Sequence, residues 1–272
     1  MSEVLRELIP HAFVPTDAPP SVPARQVNPA KPKLLQTEHH HFCPGCGEPI
    51  AVRLVLEVLE ELGLSDRTIA IIGHGCYGAF TASIDVDCNL CLHGRAPAVA
   101  TGVKRMRPDR AVWTLQGDGD MISEGLAEIM HAAARGENIT CVMLNNGVFG
   151  DTGGQMTAAS VMGQRTKTSL EGRNAAQHGY PIPIADILAT LEGTSYVARG
   201  SVHNTLAIAQ TKKLVRTAFE RPMEGRGLAL IEILTMCPTG WFVPVGDGPQ
   251  YMQDTLGKAY PFGVLKDACA PA

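Results

Sequence analysis

Residues that could bind a metal ion and a phosphate group occur at two points of the chain. Gly117-Asp118-Gly119 follows one apolar run, and Asn145-Asn146 follows the next. Mg²⁺ prefers oxygen ligands and is usually held by one or two carboxylates together with phosphate oxygens. Glycine lets the backbone approach a pyrophosphate closely, and the free N–H groups at a helix start favour its negative charge. These residues predict a site for Mg²⁺ and a pyrophosphate.

The spacing of the two motifs indicates which cofactor carries that pyrophosphate. The 25 residues from 120 to 144 are enough for one helix and one strand. Both motifs can then lie at the carboxyl edge of a parallel sheet, where ligands of open α/β proteins bind. There, Asp118 would meet a side-chain amide oxygen and a backbone carbonyl from residues 145–148. A GDG turn alone is common, but in this arrangement with an NN pair it predicts thiamine pyrophosphate.

The elements that must position these motifs alternate along the chain. Short β-branched runs predict buried strands, and apolar residues three and four positions apart predict helices. The predicted strands are 68–72, 111–115, 139–144 and 228–234, and the predicted helices are 49–62, 125–136, 184–191 and 206–219. Residues 111–146 should form a parallel strand–helix–strand unit. The predicted fold class is α/β, with a mostly parallel sheet flanked by helices.

Proline and glycine divide the chain into three parts. Residues 1–36 contain seven prolines, which predicts an extended arm that is either disordered or wrapped around a partner subunit. Residues 37–237 hold the motifs and should form the catalytic domain. Residues 238–272 contain five prolines and five glycines, which predicts an irregular tail at an interface.

Composition and charge exclude several functional classes. The 272 residues are 45% hydrophobic and 18% charged, with a formal net charge of -4. No basic surface for nucleic acid is indicated, and no apolar run is long enough to cross a bilayer. We therefore expect a cytoplasmic protein that binds neither nucleic acid nor membrane. Eight cysteines without an export signal favour reduced thiols or metal ligands over disulfides.

Two further motifs allow other interpretations. The pairs Cys43/Cys46 and Cys88/Cys91 could together bind zinc, but the 41 residues between them, 47 to 87, exceed the usual spacing of such sites. Residues 73–78 spell GxGxxG after a strand, which is the dinucleotide fingerprint. No acidic residue follows at the distance needed to bind a ribose. Zinc and a nicotinamide cofactor remain alternatives.

Several motifs occur together in an order known from one enzyme family. They are Cys43-Pro44-Gly45-Cys46-Gly47, Gly73-His74-Gly75-Cys76, His93-Gly94-Arg95, the GDG and NN motifs, and Thr152-Gly153-Gly154-Gln155. From about residue 38 to 240 the chain resembles the β subunits of 2-oxoacid:ferredoxin oxidoreductases. The resemblance is closest to the branch described as 2-oxoisovalerate, or branched-chain, oxidoreductases.

The resemblance implies a fold, cofactors and ligands. The implied fold is the pyrophosphate-type domain of thiamine pyrophosphate enzymes, with Mg²⁺ held by Asp118, Asn146 and the Val148 carbonyl. One 4Fe-4S cluster would be bound by Cys43, Cys46, Cys76 and Cys237. The other residues implied around thiamine pyrophosphate are Gly75, Cys76, His93, Gly94, Gly117, Gly119, Phe149, Gly150 and Thr152. We expect His93 to be catalytic, by hydrogen bonding or proton transfer near the substrate, although a structural role is an alternative.

The implied activity needs several partners. It converts a 2-oxo acid and coenzyme A to acyl-CoA and CO₂ and passes electrons to ferredoxin or a similar acceptor. The expected partner subunits are of the α and γ types, with or without a ferredoxin-like δ subunit. One of them should supply the carboxylate that thiamine enzymes need against the aminopyrimidine ring, because no domain for it is visible here.

The substrate prediction rests on one loop residue. Family members that act on 2-oxoglutarate often carry lysine at the position of Gly153. An uncharged residue there predicts a branched-chain or aromatic 2-oxo acid, unless Arg165 or a partner residue supplies a charge. A non-redox thiamine pyrophosphate decarboxylase or carboligase, which needs no four cysteine ligands, and a zinc-stapled interaction subunit are the alternative functions.

Overall fold

Seven strands form one sheet in the computed structural model, which describes residues 31–37 and 40–269. The strands of the chain are β1 Thr68–Ile72, β2 Asp87–Leu90, β3 Ala111–Gly117, β4 Thr140–Asn145, β5 Val148–Phe149, β6 Gln155–Met156, β7 Thr194–Ser201, β8 Leu228–Leu234 and β9 Gly263–Asp267. The sheet order is β2-β1-β3-β4-β8-β7-β9, while β5 and β6 form a separate pair. All neighbours in the large sheet are parallel except β7 and β9. The predicted mostly parallel α/β sheet is confirmed.

Helices cover both faces of this sheet. They are α1 Glu48–Glu61, α2 Ala96–Met106, α3 Leu126–Ala134, α4 Ala175–His178, α5 Ile184–Ala189, α6 Thr205–Met223, α7 Pro238–Trp241, α8 Gly248–Asp254 and α9 Leu256–Ala259. Helices α1 and α6 share one apolar core with the sheet, and α2, α3 and α5 share the other. None of the helices within the described residues is long and apolar enough to cross a membrane.

Local sequence features set the ends of the two longest helices. The α1 helix ends before Gly63, whose φ of 67° is easy only for glycine and whose N–H donates to the Glu60 carbonyl at 3.0 Å. The α6 helix begins after Asn204, whose Oδ1 accepts from the Ala207 N–H at 2.8 Å. Both helices therefore begin or end at residues that satisfy free backbone groups.

The predicted elements around the motifs are confirmed with small shifts. Strands β1 and β8 have the predicted bounds, and α1 is displaced by one residue. Strands β3 and β4 pair in parallel with α3 between them, as the strand–helix–strand unit requires. A single π-helical turn, Gly119–Glu124, precedes α3, so the backbone after the GDG motif is wider than an ordinary helix start.

The prediction of an irregular C-terminal tail was wrong. It contains α7, α8 and α9, and β9 joins the edge of the main sheet beside β7. Pro238 and Pro249 stand in the first turn of their helices, where proline is compatible with a helix because its missing N–H would be unbonded. Proline count therefore misled the prediction.

The predicted arm lies mostly outside the described residues. Residues 1–30 are not described, and the part that is described from Pro32 belongs to the same compact unit as the sheet. Leu34 is buried, and its N–H donates to Glu60 Oε1 at 2.7 Å. The end of the predicted arm is thus part of the folded domain.

Candidate active site

The loops that follow neighbouring strands β1, β3 and β4 converge at the carboxyl edge of the sheet. They enclose a cavity of ≈ 140 Å³, hereafter the cofactor cavity. Ten of the twelve residues predicted to surround the cofactor line it, namely Gly75, Cys76, His93, Gly117, Asp118, Gly119, Val148, Phe149, Gly150 and Thr152. Gly94 and Asn146 are not in this lining; they lie behind it, in contact with acidic residues of the cavity.

Asp118 is held in place by the chain itself. It is 1% exposed, and its Oδ1 accepts from the Asn146 N–H at 3.3 Å. Its Oδ2 accepts from the Thr157 hydroxyl at 2.5 Å. Burial raises the pKa of Asp118 to about 7, although these hydrogen bonds lower it. A divalent cation at the carboxylate would reverse that shift, because a bound ion is the dominant local charge.

The two asparagines of the NN pair have different surroundings. Asn145 Oδ1 accepts from the Gly147 N–H at 3.0 Å, and Asn145 Nδ2 donates to Glu232 Oε1 at 2.6 Å. Asn146 Oδ1 accepts from the Val148 N–H at 3.0 Å. Gly147 has a φ of 69°, a conformation that favours glycine. Asn145 therefore braces the turn, and Asn146 lies beside Asp118.

A buried ion pair that the sequence prediction missed supports this turn. Arg199 Nε donates to Glu232 Oε2 at 2.6 Å, and both side chains are 1% exposed. Arg199 also donates to Asp186 at 2.9 Å and to the Pro261 carbonyl at 3.1 Å. Arg199 on β7 stands opposite Glu232 on β8, so the ion pair becomes visible only once the register of these two strands is known. The sequence did not predict β7, and the pair was therefore missed.

A second missed residue fixes the loop that carries Thr157. Arg173 is 6% exposed, and its guanidinium donates to six backbone carbonyls. Three of them belong to Thr157, Ala158 and Ser160, at 2.7 to 3.2 Å. The other three belong to residues 178–180. An arginine with only carbonyl partners has no sequence signature, yet it positions the hydroxyl that contacts Asp118.

Asp120 connects several cavity residues. Its Oδ2 accepts from the Tyr77 hydroxyl at 2.7 Å, and its Oδ1 accepts from the Gly94 N–H. His93 Nε2 lies 3.7 Å from Asp120 Oδ1, and the His93 ring meets the Phe149 ring edge-on at 5.9 Å. Burial raises the pKa of Asp120. The fourth residue of the GDGD sequence thus lies beside the predicted catalytic histidine.

Two glycines and a set of oxygen donors bear on whether this site suits a magnesium–pyrophosphate group. A Cβ at Gly119 would lie 2.3 Å from the Phe149 ring, and one at Gly73 would lie 1.7 Å from Asp120 Oδ2. A side chain at Gly119 or Gly73 would therefore displace Phe149 or Asp120 from its place. One carboxylate, one amide and one nearby carbonyl form the hard oxygen donor set that Mg²⁺ prefers.

The four cysteines predicted to bind a cluster line a neighbouring cavity of ≈ 240 Å³, hereafter the cysteine cavity. A Cβ at Gly150 would lie 3.5 Å from Cys76 Sγ and 3.6 Å from Cys237 Sγ, so the glycine keeps space in front of both sulfurs. Burial raises the pKa of the Cys76 and Cys237 thiols to about 12. These thiols are protonated until a metal takes the place of the proton. Four cysteines around one space are the donor set of a 4Fe-4S cluster.

The second CxxC pair does not contribute to this cavity. Cys88 is exposed on edge strand β2, and Cys91 is buried just after it. Residues three apart in a strand are about 10 Å apart, beyond the ~7 Å limit for a disulfide. Among the residues that the structure describes, no three His, Cys, Asp or Glu side chains are arranged as ligands of one metal ion. This holds for the paired-CxxC residues and for the four cysteines of the cysteine cavity alike.

Glu48 lies between the two cavities and lines both. It is 4% exposed, and its Oε2 has no hydrogen-bond partner among the described residues. Burial, followed by the nearby charge of Asp118, raises the pKa of Glu48 to about 8. The sequence prediction missed it, although its place two residues after Cys46 was a usable signal.

Comparisons with known proteins agree with this geometry. Residues 73–233 match the family described as thiamine pyrophosphate enzyme, C-terminal TPP binding domain. The chain is 35% identical over 232 residues to a ketoisovalerate oxidoreductase subunit VorA of Methanothermobacter thermautotrophicus, covering 85% of this chain and 48% of that protein. It therefore spans about half the length of the ketoisovalerate relatives that it matches.

Other relatives match over most of their length. A 2-oxoglutarate synthase subunit KorB of Archaeoglobus fulgidus is 34% identical over 79% of this chain and 76% of its own. A solved 2-oxoglutarate:ferredoxin oxidoreductase from Magnetococcus marinus superposes with a TM-score of 0.70 at 29% identity, covering 91% of this chain and 88% of that chain. With its cofactor-binding domain and these relatives, the chain belongs to the thiamine pyrophosphate-binding subunits of the 2-oxoacid oxidoreductase family.

Proposed function

We propose that this chain is the catalytic subunit that binds thiamine pyrophosphate, Mg²⁺ and a 4Fe-4S cluster in a 2-oxoacid:ferredoxin oxidoreductase. The assembled enzyme would convert a 2-oxo acid and coenzyme A to acyl-CoA and CO₂. The observation that carries the proposal is a shared wall. Glu48, Cys76, Gly150 and Asp151 line both the cofactor cavity and the cysteine cavity. A redox enzyme needs its electron acceptor beside the reacting cofactor, whereas a decarboxylase or carboligase does not.

Each cavity residue has a distinct part in this proposal. Asp118, Asn146 and the Val148 carbonyl would hold Mg²⁺, with Thr157 and Asn145 fixing their orientation. Cys43, Cys46, Cys76 and Cys237 would hold the cluster. When bound, thiamine pyrophosphate supplies the electron sink for decarboxylation. His93, which lies beside Asp120, would hydrogen-bond or exchange a proton with a substrate in the cofactor cavity.

Partner subunits complete the enzyme in this proposal. The cavity lining contains Glu48, but that carboxylate is built into the wall shared with the cysteines. The carboxylate for the aminopyrimidine ring would come from an α-type subunit, and a γ-type subunit and ferredoxin or a ferredoxin-like δ subunit would complete electron transfer. Gly153 in the loop beside the cofactor cavity supports a branched-chain or aromatic 2-oxo acid as one substrate, and the relatedness to a ketoisovalerate oxidoreductase subunit supports it too.

The test is reduction of ferredoxin by the complex, with the isolated chain and its partners assayed separately. We expect acceptor reduction only from the assembled complex and only with a 2-oxo acid, coenzyme A and thiamine pyrophosphate present. Release of CO₂ without acceptor reduction would favour the non-redox thiamine enzyme instead. Full activity of the isolated chain would refute the need for a partner carboxylate.

A further inference from the structure

A buried tryptophan connects the short helix α7 to the turn that holds the NN pair. Trp241, the last residue of α7, is 2% exposed. Its indole Nε1–H donates to the Asn146 carbonyl at 2.7 Å. The N–H of the same asparagine donates to Asp118 Oδ1 at 3.3 Å. The indole therefore fixes the main chain of a residue that lies beside the proposed Mg²⁺ carboxylate.

The same helix is attached to a cysteine of the other cavity. Cys237 directly precedes α7, and its carbonyl accepts from the Trp241 N–H at 3.0 Å. A Cβ at Gly240 would lie 2.9 Å from Cys237 Sγ and 2.9 Å from Val148 Cγ2. The open face of this glycine lets α7 pack against both side chains. One turn of helix thus contacts a proposed cluster ligand and the residue whose carbonyl is a proposed Mg²⁺ ligand.

The end of α7 has an unusual backbone. Phe242 has a φ of 58°, and it is the only residue other than glycine with a positive φ in the described part of the chain. A bulky residue holds this conformation only where its surroundings enforce it. Phe242 itself is 56% exposed, whereas the preceding Trp241 is buried with its ring centroid 4.9 Å from that of Tyr251. The burial of Trp241 therefore accounts for the position of this turn.

The two contacts of α7 make the cavities dependent on each other. Without a ligand on its thiol, Cys237 is held less firmly, and the helix that it precedes gains freedom of movement. Any displacement of α7 moves the indole away from the Asn146 carbonyl. A group bound at Cys237 therefore restrains the turn from Asn146 to Val148 through Trp241.

We propose that Trp241 is a positioning residue that couples the two cavities, so that a filled cysteine cavity strengthens the binding of Mg²⁺ and thiamine pyrophosphate. This inference rests on the proposed function and adds to it a dependence of one site on the other. Because coupling between two binding sites is reciprocal, bound thiamine pyrophosphate should strengthen the retention of iron by the same factor.

The experiment is a calorimetric titration of the assembled enzyme with thiamine pyrophosphate and Mg²⁺ under anaerobic conditions. It is carried out before and after the iron has been removed with a chelator. Wild type should bind the cofactor about fivefold or more tightly with its iron than without it. Trp241→Phe keeps an aromatic ring but lacks the N–H donor. It should bind the cofactor about tenfold more weakly than the iron-loaded wild type, and equally with and without iron.

Two controls separate positioning from stability. Trp113→Phe is the matched variant, because it removes an indole N–H that donates to Thr68 Oγ1 at 3.0 Å in the core. It should keep both the affinity and the iron dependence of the wild type. Trp241→Phe should still contain the iron of the wild type, which a misfolded α7 would lose.

The possible failures are distinguishable. Equal cofactor affinity of the wild type with and without iron would overturn the coupling and leave the proposed function intact. This measurement needs no variant, so it decides the matter even if Trp241→Phe fails to fold. Unchanged affinity in Trp241→Phe, or an equal loss in Trp113→Phe, would also overturn the role of Trp241. A wild-type enzyme that binds neither iron nor thiamine pyrophosphate would overturn the proposed function as well.

Discussion

The cofactor cavity and the cysteine cavity share a wall but are held in opposite ways. On the cofactor side, Asp118, Asn145, Asn146 and Thr157 are each at most 5% exposed, and each is hydrogen-bonded by the chain. On the cysteine side, Cys43 is exposed and the other three thiols are half-buried. Under the proposed assignments, the protein builds the metal–pyrophosphate site before a ligand binds, whereas the cysteine site would be completed by the cluster it binds.

This difference has a physical origin in the sheet. The proposed oxygen ligands directly follow β3 and β4, central parallel strands whose register fixes the distance between them. The cysteines come from three separated segments, two in the loop before α1, one after β1 and one before α7. Changes on the cofactor side should therefore alter ligand affinity within an intact fold, and changes on the cysteine side should alter cluster content.

The largest effect is expected at Asp118, the carboxylate proposed to bind Mg²⁺. Asp118→Ala should lower Mg²⁺-dependent binding of thiamine pyrophosphate by at least about a hundredfold, because the ion loses its only carboxylate in the proposed ligand set. The fold should persist, since the carboxylate is buried at an energetic cost, as its raised pKa indicates. Calorimetric titration measures binding, and Asp109→Ala at an exposed site is the control. Unchanged binding would disprove the assignment of Asp118.

The cysteine side is tested by iron content. Cys237→Ser or Cys43→Ser should abolish or strongly lower the iron bound per chain in anaerobically purified protein, because a cluster needs its thiolate ligands. Cys88→Ser should retain the iron of the wild type, since Cys88 lies on β2 outside the cysteine cavity. An equal loss of iron in Cys88→Ser would revive the paired-CxxC site.

Asn145, which braces the turn at Gly147, should have a smaller effect on affinity than Asp118. Asn145→Ala removes the contacts to Gly147 and Glu232 and should weaken Mg²⁺–cofactor binding by about 10- to 100-fold, as expected for a residue that orients a ligand. It should also destabilise the fold by about 1 to 3 kcal/mol.

Thr211→Val is the matched control for this variant. It removes two buried hydrogen bonds, each of 2.8 Å, between α6 and Ser201 at the end of β7. A similar loss of melting temperature with unchanged cofactor affinity is expected. If both variants changed affinity equally, Asn145 would be structural only.

The last effect concerns how stability depends on pH in the protein without bound metal. The pKa of Glu48 is about 8 against its ordinary 4.5, so the folded state holds this proton more tightly than the unfolded state. Its contribution is fully present below pH 4.5 and is lost as pH rises through about 8. Glu48→Gln should reduce the fall in the free energy of unfolding over this pH range by a few kcal/mol at most. Thermal melts from pH 5 to about 9 measure it, and identical slopes in both proteins would contradict it.

Much of the site was predictable because its signals are local in sequence. The motifs at the ends of β3 and β4 required no tertiary information beyond parallel pairing, whereas the choice of the four cysteines came from the resemblance to the enzyme family. Strand β7 was missed because Arg199 and Gly200 interrupt its apolar pattern, although all its residues are buried. Arg173 and Thr157 act through contacts over long loops, which single-sequence periodicity does not encode.

The visible spectrum of the assembled, anaerobically purified enzyme tests the central claim, that one chain places the cofactor beside an iron–sulfur cluster. Addition of a 2-oxo acid should bleach the cluster absorbance in the wild type. In the Asp118→Ala variant the cluster should be present but remain oxidised, because the cofactor no longer binds. Decarboxylation of the 2-oxo acid by the wild type without bleaching of a cluster that is present would contradict the account.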